Sequence, residues 1–193
     1  MEEQIANLDE QAEQPVTDEM QSRVDEGRLC YRQGEYEEAL SHLQAAYQHY
    51  QAKGRQEQVA EMVNDIGVIY TVLRQWSEAE KSLNEAHHLF TQLQDYNGEA
   101  QTLGNLGSMF RARGDLKQAA ANLQLAADRF HLVGDDERRG MTLKVLSMVR
   151  LSQFRLLQAL AAYDAALACH PNPSAWIKFL RRIISIPLRM VSG

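Results

Sequence analysis

Between residues 18 and 169, apolar side chains recur three and four positions apart in eight successive stretches, and none alternates strictly between apolar and polar. The first spacing is that of an amphipathic helix; strict alternation would mark a half-buried strand. The pattern predicts helices over 18–33, 36–53, 56–73, 76–93, 96–113, 116–132, 136–152 and 155–169, and no strand. Four prolines and eleven glycines in 193 residues leave these stretches nearly free of breakers. Gly34 and Gly114 fall where a helix must end and reverse, a left-handed position that glycine takes without steric penalty. Gly54, Gly98 and Gly134 are predicted to mark the turns between one helix pair and the next.

The pairs repeat. The first contains Gly27, Cys30, Gly34, Tyr36, Ala39, Leu43 and Ala46; the second Gly67, Tyr70, Trp76, Ala79, Leu83 and Ala86. The third contains Gly107, Phe110, Gly114, Leu116, Ala119, Leu123 and Ala126; the fourth Ser147, Phe154, Leu156, Ala159, Tyr163 and Ala166, followed by Pro171. Alanines 39, 79, 119 and 159 are therefore 40 positions apart each time. Two antiparallel helices joined by a short turn need a small residue on each side of their crossing, here Gly27/Ala39, Gly67/Ala79 and Gly107/Ala119. Tyr36, Trp76, Leu116 and Leu156 would fill the wedge beside the turn. The later alanines would make room for the next pair. The fourth unit departs from the pattern, with Ser147 for glycine and Phe154 where Gly34 and Gly114 stand.

This pattern resembles the tetratricopeptide repeat (TPR) family over residues 18–171, in its long, 40-residue form. Leu103-Gly104-Asn105-Leu106-Gly107 is similar to the kinesin light chain and Leu-Gly-Asn-repeat branch. The resemblance implies an all-α, right-handed solenoid of four helix-turn-helix repeats. It also implies a non-catalytic adaptor that takes a protein or peptide in the groove lined by the first helix of each repeat. Mapped onto this chain, that groove is expected to present Gln21, Asp25, Arg28 and Arg32, then Glu61, Asn64, Asp65, Val68 and Thr71. Gln101, Asn105, Ser108 and Arg111 follow from the third repeat, and Met141, Lys144, Val145, Met148 and Leu151 from the fourth. Asn105 matches the family's peptide-holding asparagine, whose amide both donates and accepts. Asp25, Glu61 and Asp65 sit where a chaperone-tail clamp would need cations, so that ligand is not expected. Met141, Val145 and Met148 admit two readings, an adaptable apolar anchor for a ligand or core beneath the C-terminal segment.

Charge changes the picture at the two ends. Residues 1–26 carry nine acids against Arg23, whereas 175–193 carry Lys178, Arg181, Arg182 and Arg189 and no acid. The chain thus divides into an acidic tail (1–16) expected to be disordered, the repeats (17–171) and a basic amphipathic helix (172–193). On a helical wheel of about 100° per residue, Lys178, Arg182, Ser185 and Arg189 share one edge. Trp176, Phe179, Leu180, Ile183, Ile184 and Ile186 fill the rest, with Arg181 beside the basic edge. A basic face opposite a wide aromatic and aliphatic one predicts contact with an anionic membrane surface or a membrane protein. A solenoid cap needs a narrower stripe, but remains the competing reading, with filling of the groove as a self-ligand a third. Pro187 is expected to kink or end this helix.

An overall charge of −6 and a pI near 5.5, without a basic stripe in the repeats, argue against nucleic acid. Cys30 and Cys169 are the only cysteines, far apart, as in a reducing compartment. The acidic N-terminus and the lack of any long apolar run predict a cytoplasmic protein, peripheral at most to a membrane. No phosphate loop, nucleophile constellation or metal spacing occurs: His87 and His88 are adjacent, so their rings diverge, and Cys169-His170 reads as structural. No catalysis and no cofactor are expected. The resemblance also implies two further roles, an assembly or accessory factor of a membrane complex and a soluble peptide-sensing module.

Overall fold

The computed structural model describes residues 19–191, with the side chains of 19–187; the acidic stretch 1–16 lies outside the described residues. The helices are α1 (19–33), α2 (Tyr36–Ala52), α3 (Gln56–Val72), α4 (Trp76–Gln92) and α5 (Tyr96–Arg113). They continue as α6 (Leu116–Leu132), α7 (Asp136–Ser152), α8 (Leu156–Ala168) and α9 (Ala175–Val191), and no strand occurs among the described residues. From α2 to α9 each helix packs on its sequence neighbours, α1 joins the core through Val24, and α3 also touches α5, which gives a solenoid of four helix pairs. The predicted helices agree with these to within two residues.

The 40-residue period is two identical steps of 20. Gly34, Gly54, Arg74, Gln94, Gly114, Gly134 and Phe154 all have left-handed φ, from 57° to 95°. The N–H of each following residue (Glu35, Arg55, Gln75, Asp95, Asp115, Asp135 and Arg155) donates to the carbonyl five residues back, at 2.9 Å every time. That bond closes the helix C-terminus and leaves the next residue poised to begin a new helix. A 17-residue helix and a three-residue turn therefore recur whether the turn lies within a repeat or between two.

Gly98 was expected at one of these turns and is not there. It lies in the first turn of α5, buried, where a Cβ would collide with the Phe90 ring; Gln94 makes the turn instead. The close approaches within pairs also differ in detail from expectation. A Cβ on Gly67 or Gly107 would stand 2.7 Å or 2.6 Å from the Cγ of Leu83 or Leu123, one helical turn beyond the fully buried Ala79 and Ala119. Leucine, not alanine, is what glycine makes room for. In the fourth pair Ser147 replaces glycine and donates its hydroxyl to the Ala159 carbonyl at 2.9 Å, tying α7 to α8 by a hydrogen bond. Tyr36, Trp76 and Leu116 pack against the core as predicted, but Leu156 is mainly exposed.

Two buried apolar clusters run through the array and meet at Tyr70. Stability in such an array is close to a sum of neighbour interfaces. After residues 169–174 the chain returns over α8 as α9. Pro187 does not end the helix: α9 continues to Val191. Proline removes one backbone donor, which leaves the Ile183 carbonyl without its usual helical partner.

Candidate partner-binding groove and C-terminal helix

The first helices of the repeats, α1, α3, α5 and α7, are joined to one another by polar contacts one repeat apart. Arg28 Nε donates to Asp65 Oδ2 at 3.0 Å, and its Nη2 reaches Glu61 at 3.5 Å. Asn64 Oδ1 accepts from Thr102 Oγ1 at 3.1 Å and from Asn105 Nδ2 at 3.0 Å. Arg138 Nη2 donates to Asn97 Oδ1 at 2.6 Å. These bonds fix the relative rotation of the repeats and floor the groove.

The expected groove residues sort into three kinds. Asn64 is 3% exposed, so it is a structural strut and not the ligand contact that its position implied. Arg28 and Asp65 are half-buried and spent on each other, with Glu61 as a second partner. Partial burial acts to lower the Arg28 pKa, but Asp65 and then Glu61 outweigh it and hold the guanidinium above its ordinary value. Two of the three acids expected to repel a carboxylate are therefore answered by Arg28. Arg32, Gln101, Arg111, Lys144 and Met148 are exposed; Val68, Asn105 and Ser108 are partly so. Among the described residues, Arg32, Arg111 and Lys144 have no carboxylate within ion-pair distance and Asp25 has no base, so three unpaired cations stand against one unpaired acid in the groove.

Two clefts open on this face. One of about 290 Å³ lies among Arg28, Tyr31, Arg32, Leu43, Asp65, Val68 and Ile69. The other, about 310 Å³ and mostly polar, is bounded by Glu61, Asn64, Asp95, Asn97 and Gln101. Met141 and Met148, each about half exposed, and Leu151 follow along α7; they are not core beneath α9. Sequence reasoning missed Tyr31, Asn97, Thr102 and Arg138. The signal was present as complementary residues 37 to 41 positions apart, close to one repeat.

The apolar face of α9 divides in two. Ile184 is buried, Ile177 and Leu180 are half-buried, and Arg181 Nε donates to Asp164 Oδ1 at 3.0 Å: this face docks on α8. Trp176, Phe179, Ile183 and Ile186 form a second stripe that stays exposed, with the Trp176 and Phe179 rings 5.6 Å apart. Lys178 and Arg182 are exposed beside it. Arg189 lies within α9, but its side chain is outside those described. The helix caps the solenoid with one face and leaves the other free. Among the described residues no helix is long and apolar enough to cross a membrane.

The two cysteines lie in different settings. Cys169 is buried and its thiol donates to the Ala165 carbonyl, a structural role. Cys30 lies near Glu35 and Glu38, and desolvation, then Glu38 and Glu35, push its thiol pKa up.

These features define a helical-repeat scaffold with a polar-floored groove. The chain belongs to the tetratricopeptide repeat family, whose model matches residues 18–92 and 58–130. Its fold is similar to that of BtubC (BKLC) from P. vanneervenii, with a TM-score of 0.71 at 22% identity over 80% of this chain and 67% of that one. It is also similar to a kinesin-light-chain-like protein of nearly identical TPR-like repeats from Podosopora anserina, with a TM-score of 0.50 at 13% identity over 90% and 93% of the two chains. No curated protein matches the chain. Tetratricopeptide repeats are protein-interaction scaffolds.

Proposed function

We propose that this protein is a non-catalytic adaptor, cytoplasmic and peripheral at a membrane, that holds an extended peptide segment of a protein partner in its groove. The observation that carries the reading is the contrast within the groove. Arg28, Asp65 and Asn64 satisfy one another, whereas Gln101, Arg111 and Lys144 stand exposed on α5 and α7, and the amide of Asn105 is half-free. An amide that donates and accepts suits a peptide backbone. Unpaired cations favour an acidic segment, and Met141 and Met148 suit an apolar side chain of varied shape. The exposed stripe of α9, flanked by bases, would hold the adaptor at an anionic bilayer, as an assembly or accessory factor of a membrane complex would require. The docked face of α9 supports the alternative of a soluble peptide-sensing module in which α9 is only a cap.

Panning a random-peptide library on the full chain tests the groove. Selected peptides should be acidic with an apolar residue, and Asn105→Ala or Met148→Ala should abolish their capture while Lys81→Ala on α4 leaves it intact. Selection of peptides indifferent to Asn105 and Met148 would rule the groove out. Co-sedimentation with anionic and neutral vesicles tests the tail: salt-sensitive binding to anionic vesicles favours the adaptor. Absence of binding leaves the soluble module.

A further inference from the structure

The α7–α8 turn carries a feature that neither the groove nor α9 uses. Phe154 is 96% exposed, and its φ is 59°. Gly34 and Gly114 hold the same place in repeats 1 and 3. A left-handed φ disfavours any residue with a Cβ, and a phenyl ring in water forgoes its burial. Folding therefore gains nothing from phenylalanine here.

Its neighbours share one chemistry. Leu151 and Leu156 are also mainly exposed, and Arg150 and Arg155 bracket the turn. Neither guanidinium meets a carboxylate among the described residues; each touches only a glutamine amide, Gln153 or Gln158, at 3.4 Å. Burial, and then the neighbouring Arg155, hold the Arg150 pKa below its ordinary value. An anion placed near the two would offset the repulsion between them. From Arg138 to the C-terminus the chain has nine lysines and arginines and a single acid, Asp164, which Arg181 occupies. Trp176 and Phe179 on α9, beside Lys178 and Arg182, repeat this combination of exposed ring and unpaired base.

We propose that the Phe154 turn is a second membrane contact, in which the ring inserts into an anionic bilayer while Arg150 and Arg155 bind lipid phosphate. The ring stands on a projecting turn with a cation on either side, a shape that suits a soft anionic surface better than a protein pocket. The inference rests on the reading of α9 as membrane-facing but uses different residues.

Sedimentation of the full chain with phosphatidylcholine vesicles, with and without phosphatidylserine, tests this on three forms: wild type, Phe154→Gly, and Trp176→Ser/Phe179→Ser. Phe154→Gly should melt no lower than wild type, because glycine suits the backbone. Its affinity for the anionic vesicles should fall about tenfold, roughly what burying most of one phenyl ring contributes. Arg150→Gln/Arg155→Gln should bind more weakly and lose part of the salt dependence. If Phe154→Gly binds as wild type while the α9 variant does not, the turn is excluded and the α9 reading survives. If wild type itself ignores anionic vesicles, both readings fall. If Phe154→Gly instead lowers the melting point and light scattering shows a wild-type dimer dispersing, the ring packs on a second copy and the proposal is wrong.

Discussion

Asn105 Nδ2 donates to Asn64 Oδ1 across 3.0 Å, and Thr102 shares the same acceptor from the next turn of α5. Asn64, though an amide at a groove position, thus serves the fold, while Asn105 keeps its own carbonyl oxygen available. Asn64→Ala should strand the buried Thr102 hydroxyl and cost about 1–3 kcal/mol, measured by urea denaturation. Asn105→Ala should cost about 1 kcal/mol or less in stability and show itself in peptide capture.

Helix glycines should respond oppositely to a single methyl group. Gly67→Ala and Gly107→Ala press a Cβ to within 3 Å of Leu83 and Leu123, and each should destabilise by about 1–3 kcal/mol. Gly104 has nothing within 4 Å of its Cβ position, so Gly104→Ala should stabilise by about 0.5–1 kcal/mol. Thermal melts of the three variants decide the matter; equal effects would refute the close-packing account.

Asp135 caps α7, accepting from the Arg138 backbone N–H at 2.8 Å and pairing with the Arg138 side chain. The backbone bond first, then the side chain, hold its carboxyl below the usual range. A carboxylate with a depressed folded pKa stabilises fully above its unfolded value, near 3.8, and loses that contribution as pH falls through the folded one. Asp135→Ala should therefore cost about 0.5–2 kcal/mol at pH 7. The gap from wild type should narrow as the melts are repeated toward pH 2. A gap unchanged with pH would mean that the cap does not act through its charge.

Ile183 and Ile184 are adjacent on α9 and face different surroundings, solvent and α8. Ile184→Ala should destabilise by about 1–3 kcal/mol, at the low end of core truncations because α9 is terminal. Ile183→Ser should stay within about 0.5 kcal/mol of wild type and weaken only the binding to anionic vesicles. The same two measurements made on both variants test the division of the helix into a cap face and a free face.

Much of the fold was legible in the chain itself. The 40-residue spacing of Ala39, Ala79, Ala119 and Ala159, with 3.6-residue periodicity between them, specified helix pairs and their stacking, because each pair buries its apolar face only against a neighbour. The turns were harder to read. Gly98 looked like punctuation, yet it meets the Phe90 ring inside α5, while Gln94, Arg74 and Phe154 accept the left-handed conformation. A repeated chain-reversing hydrogen bond imposes that conformation whatever the side chain, so local propensity could not choose among them.

Periodicity placed a residue on the groove side of a helix but could not say whether its polar group was already spent. Asn64 and Asn105 share that face, and only the rotation of α3 against α5 decides that one is a strut and the other half-free. The α9 wheel likewise showed a wide apolar arc, and the dock onto α8 divided it. The sequence alone therefore determined the repeat, the helices and the basic end, because these follow from spacing along one chain. Which polar groups remain unsatisfied and which apolar groups remain uncovered depended on contacts between helices some forty residues apart, and only the tertiary structure decided them.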